Sequence, residues 1–73
     1  MYDQMNNVST NPRIARMPPL EERNAFLDGL AEKEIRKLQD INQYQISLAK
    51  TEEVLEYLRV IEDDLMQAMM RRC

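Results

Sequence analysis

The sequence predicts an all-α chain: one long amphipathic helix, or an αα-hairpin, carrying a disordered N-terminal arm and packing in a coiled coil or helical bundle with partner chains. Three observations lead there. Helix formers (Leu, Glu, Lys, Ala, Met, Arg and Gln) dominate from Leu20 onward. All three prolines precede residue 20 and the single glycine is Gly29, so the remainder has almost no turn chemistry. Over the same stretch, apolar residues recur near every seventh position.

Pro18-Pro19 divides the chain. Residues 1–18 are rich in Asn, Ser, Thr and Gln and lack periodicity, which predicts a disordered or extended arm. Within it, prolines bracket two arginines that lie three apart, Arg13 and Arg16, with Ile14 and Met17 as apolar companions. This is the part of the arm most like a short linear binding motif. A plain solvated tail is the alternative.

Residues 19–71 are expected to be helical. Pro19 suits the first helical position, where its missing N–H has no partner to lose. Glu21 and Glu22 then fall in the first turn, and Arg71 and Arg72 in the last, each favoured by the helix dipole. Steps of seven from Leu20 give Leu20, Leu27, Glu34, Ile41, Leu48, Leu55, Glu62 and Met69, six of them apolar. Steps of seven from Arg23 pass through Leu30, Tyr44, Leu58 and Leu65. Ile35 and Leu38 continue the stripe beside Glu34, and Ile61 does so beside Glu62. The seam drifts as a broad bundle face does.

Two breaks within 42–51 would give the hairpin instead. Asn42-Gln43-Tyr44-Gln45 is a run of weak helix formers, and Thr51 followed by Glu52 and Glu53 resembles an N-cap with acids in the first turn. The helix is expected to pass through Gly29, because Leu27, Leu30 and Ile35 carry the apolar face across it. Glu32–Arg36 and Glu34–Lys37 are helix-surface pairs, each worth roughly 0.2–0.5 kcal/mol. The second half is acidic, with Glu52, Glu53, Glu56, Glu62, Asp63 and Asp64 against only Lys50 and Arg59, which predicts a solvated acidic face.

Seventy-three residues allow only a thin core, of roughly 3–5 kcal/mol, so another support is expected. A lone cysteine, Cys73, excludes an internal disulfide, and the absence of histidine excludes the usual Cys/His zinc sites. Oligomerisation is the support that remains.

Catalysis is not expected. One glycine cannot build a phosphate-cradling loop, and no histidine is available for a triad or proton shuttle. Glu52-Glu53 and Asp63-Asp64 pair carboxylates, but helix neighbours point about 100° apart and do not converge on one ligand. No cofactor, metal or small-molecule substrate is therefore expected. The flanking arginines would favour the thiolate of Cys73, although an incidental cysteine is the simpler reading. Met66, Met69 and Met70 read as core filling, or as an adaptable contact.

A net charge of −3 and no dense basic run argue against nucleic acid, and an acidic polar face argues against a membrane surface. No stretch of ~18 apolar residues occurs, no signal-peptide pattern opens the sequence, and Asn7-Val8-Ser9 reads as a chance glycosylation triplet. An intracellular setting, cytoplasmic or nuclear, is expected from these features and the single thiol.

The expected role is a non-catalytic structural or adaptor subunit assembled through helix packing. Its partner interface is expected at Leu20, Leu27, Leu30, Ile35, Leu38, Ile41, Tyr44, Leu48, Leu55, Leu58, Ile61, Leu65 and Met69. The alternative is a homodimeric coiled-coil regulator that presents its arm or acidic face to an enzyme. A hetero-oligomer is preferred, because Glu34 and Glu62 in a homotypic seam would each face their own copy.

Overall fold

The computed structural model describes residues 11–72, which form four helices: α1 Pro12–Ala15, α2 Leu20–Asp28, α3 Glu32–Leu48 and α4 Glu52–Arg72. The chain is all-helical over these residues, but one continuous helix across 19–71 is not what forms. Breaks fall at residues 29–31 and 49–51.

The second break is the Thr51 signal realised. The Thr51 hydroxyl accepts the Val54 N–H at 3.3 Å, and Glu52 and Glu53 occupy the first turn of α4. Ala49 turns to an extended conformation and donates its N–H to Ile46 O at 3.1 Å. The other candidate break, Asn42 to Gln45, stays helical within α3. Tertiary packing outweighs the weak propensity there, because Asn42 is buried and its amide donates to Leu58 O on α4 at 3.0 Å.

The first break was expected to be helical. Gly29 instead closes α2, its N–H reaching Ala25 O and Phe26 O at 3.3 and 3.2 Å. Its φ of −83° is open to any residue, so no left-handed turn requires it. The glycine matters through propensity: interrupting the helix there forfeits about 1 kcal/mol less than interrupting it at an alanine. The next helix is then capped locally, with the Ala31 N–H donated to Glu34 Oε1 at 2.9 Å. This is half of a capping box, since Ala31 has no side-chain acceptor to reciprocate. Apolar spacing alone missed the joint because Leu27, Leu30 and Ile35 read as one apolar face across it, and the bend brings the same residues into one cluster.

The arm is corrected too. Residues 11–18 are not an extended tail: Asn11 caps α1 by accepting the Arg13 N–H at 3.0 Å, and Pro12 takes the first position. The Asn11 amide is buried, and donates to Glu53 O at 2.7 Å and Glu56 Oε1 at 3.1 Å on α4. Residues 1–10, with the rest of the expected arm and the Asn7 triplet, lie outside the described residues, as does Cys73.

Helix α4 is the common support. Helix α3 lies antiparallel along it, and α1 and α2 each pack on it as well. The core is Leu27, Ile35, Leu65 and Ala68, with Leu30, Leu38, Ile61 and Met69 against them. Ile35 is the fully enclosed large side chain of this group. Arg71 and Arg72, expected to serve the dipole of their own helix, also reach the end of α2. Arg72 donates to the carbonyls of Leu27 and Leu30 at 2.8 and 2.5 Å, and Arg71 pairs with Asp28 at 2.7 Å. Carbonyls at and just past the end of one helix thus accept from a cation of another.

Replacing Ile35 by Ala should lower unfolding free energy by about 2–5 kcal/mol in a urea titration, with helicity retained in the absence of denaturant. An unchanged midpoint would remove Ile35 from the core.

Candidate interaction surface

The expected partner seam is divided in two by the bends. Leu27, Ile35, Leu58 and Leu65 are buried within the chain, and Leu30, Leu38, Leu55, Ile61 and Met69 are half-buried. Leu20, Ile41, Tyr44 and Leu48 are left exposed. On α3 the division follows helix geometry. Ile35, Leu38 and Asn42 form one stripe at three- and four-residue steps, facing α4. Ile41, Tyr44 and Leu48 form a second stripe at the same steps, and none of the described residues covers it. The second stripe lies on the seven-residue counts and the first lies one position beyond them, and the drift of the seam let the sequence read the two as one face.

Between α2 and α3 lies a groove of about 560 Å³. Its floor is Leu58, Ile61 and Leu65 of α4; Phe26 and Leu27 wall one side, Leu38 and Ile41 the other. Met17 and Pro18 also line it. Phe26 is 65% exposed and Ile41 48%, so the upper walls are apolar surface in contact with water. Of the expected linear motif, Met17 is half-buried against the groove and Ile14 is half-buried, whereas Arg13 and Arg16 are exposed. The motif residues therefore share one short turn, α1 and its exit, rather than a free peptide.

The charges beside the groove are mostly occupied. Asp64, expected on a solvated acidic face, is instead buried and paired with Arg23, Nε to Oδ2 at 2.7 Å and Nη2 to Oδ1 at 3.4 Å. The same guanidinium donates to Pro18 O at 2.8 Å. A carboxylate removed from water needs such a partner, since burying it alone costs several kcal/mol. Glu62 accepts a hydrogen bond from Gln43 across the hairpin, away from the groove. Glu34 serves as the α3 cap. The polar residues lining the groove are Glu22, Arg23, Asn42, Gln45 and Asp64.

Sequence reading missed Phe26, Arg23 and Asp64. Arg23 lies on the seven-residue count with apolar positions, and a cation there is a signal that a buried acid faces it. Phe26 follows no seam count, because its role arises only once α2 and α3 diverge. Among the described residues no helix is long and apolar enough to cross a membrane, and no three acidic or thiol side chains are grouped to hold a metal ion. Comparison with protein-family models, with curated proteins and with solved structures returned no match.

A double-mutant cycle with Arg23→Gln and Asp64→Asn should give a coupling energy of about 1–3 kcal/mol in chemical denaturation. Additive losses would mean that the two side chains do not pair in solution.

Proposed function

We propose that this chain is a non-catalytic structural or adaptor subunit that assembles by receiving a helix of a partner chain on the groove between α2 and α3. The observation that carries this is a groove floored by α4 and walled by Phe26 and Ile41, with Tyr44 and Leu48 continuing the Ile41 stripe along α3, all four exposed by 48–65%. Single exposed apolar residues are ordinary, but a continuous apolar patch beside a concavity is the surface that amphipathic helices bind. Covering each such side chain contributes about 1.5–3 kcal/mol, so four of them are enough to offset association costs at the lower end of about 4–15 kcal/mol.

The partner is a helical protein chain; neither nucleic acid nor a membrane suits a surface of this charge and shape. The sequence preference for a hetero-oligomer rested on Glu34 and Glu62 lying in the seam. Glu62 bonds Gln43 across the hairpin and leaves the stripe, whereas Glu34 caps α3 and still lies exposed one seven-residue step before Ile41. Glu34 therefore still favours a different chain, and the removal of Glu62 from the stripe leaves the homodimeric regulator as the second reading. The intracellular setting, cytoplasmic or nuclear, rests on the lone cysteine of the sequence.

Three aspartate substitutions separate the fold from the interface. Ile41→Asp and Leu48→Asp should abolish association, read by sedimentation and by affinity co-purification, while circular dichroism stays unchanged. Leu58→Asp, which charges a 7% exposed side chain, should unfold the hairpin. If Ile41→Asp and Leu48→Asp retained the partners of the wild type, or the wild type associated with nothing, the reading would fall.

A further inference from the structure

We infer that the α1–α2 segment forms a strap that releases from α4, hinged at residues 29–31, while the α3–α4 hairpin stays closed. The inference rests on the groove reading, because the strap supplies one of the groove's walls, and it names how the width of that groove is set.

The strap is attached to α4, and the attachment is mostly polar. Its contacts fall at three levels along α4. Asn11 bonds Glu53 O and Glu56 Oε1 at one end. Arg23 pairs with Asp64 in the middle. Asp28 and the carbonyls of Leu27 and Leu30 hold Arg71 and Arg72 at the other end. Of the large apolar side chains on α2, Leu27 is buried, whereas Leu20 and Phe26 are 55% and 65% exposed. By contrast, α3 meets α4 along most of its length, through Ile35, Leu38 and Asn42.

These two attachments differ in strength. Exposed ion pairs such as Arg71–Asp28 contribute ~0–1 kcal/mol and weaken with salt. An isolated helix of nine residues is marginal in water, so α2 does not persist without its clasps. The hinge backbone stores no strain, since it contains Gly29 at a φ of −83° and no proline; what holds it is Leu30, half-buried against the core with its carbonyl bound by Arg72. Release exposes the Leu27 end of the core and extends the groove floor from Leu65 toward Ala68. A docking helix therefore meets either a narrow groove under the strap or a longer one without it.

Amide hydrogen exchange on the full isolated chain, at low and high salt, tests this directly. The α2 amides should exchange at least about tenfold faster than those around Leu58 and Leu65, with high salt widening the gap. Arg23→Gln should accelerate α2 by about a further tenfold, with the hairpin amides still exchanging more slowly than those of α2. Equal exchange in α2 and the hairpin, or an α2 that neither salt nor Arg23→Gln accelerates, overturns the strap. Because no partner is present, this result is independent of the docking assay. A releasing strap with unaffected association in Ile41→Asp would sink the proposed function alone, and the reverse pattern would sink the strap alone.

Discussion

Three helices share one face of α4, and that face is too narrow to let all three also pack on one another. Helix α3 takes the flank that includes Leu58 and Glu62, while α1 and α2 take the flank that includes Glu53, Asp64 and Arg71. Ile61 and Leu65 lie between the two flanks, and the groove opens above them. The groove is thus a consequence of helix arithmetic. A 21-residue helix about 30 Å long presents one apolar stripe, and two neighbours on its two sides leave the middle uncovered.

That constraint also explains where the polar groups went. A short chain with little apolar surface joins its pieces partly with hydrogen bonds. Asn11, Asn42 and Asp64 are each buried and each reach across between helices. Such groups contribute about 0.5–1.5 kcal/mol when satisfied and cost more when orphaned, so they fix the register of the packing more than they drive it. Arg72 belongs to the same group of contacts: one guanidinium finishes α2 and ties it to the end of α4.

Much of the helical content was legible in the sequence; the turn at Thr51 was legible only as the alternative to a continuous helix, through a side-chain cap and two first-turn acids. The bend at Gly29 was not legible. Its driving force is non-local: Ile35 and Ala68 are enclosed by residues more than thirty positions apart in the chain. The interface was legible as a set and not as a partition. Leu58 and Leu48 look alike on a heptad count, yet one is buried under α3 and the other is 53% exposed. Glu34 and Glu62, read as polar interruptions of a seam, act as a cap and a cross-hairpin partner. A one-dimensional periodicity shows which residues are candidates for burial; it does not say which surface buries them.

The antiparallel closure of α3 on α4 is the claim beneath all the others, and a single distance tests it. Spin labels at positions 33 and 67, with Cys73 replaced by Ser, would be about 51 Å apart on a continuous helix. Packed antiparallel helices lie about 8–10 Å apart, so the hairpin predicts a labelled separation below about 25 Å. A short, narrow distribution is the expected result. A distribution centred near the straight-helix value would contradict the fold, and with it the groove and the strap.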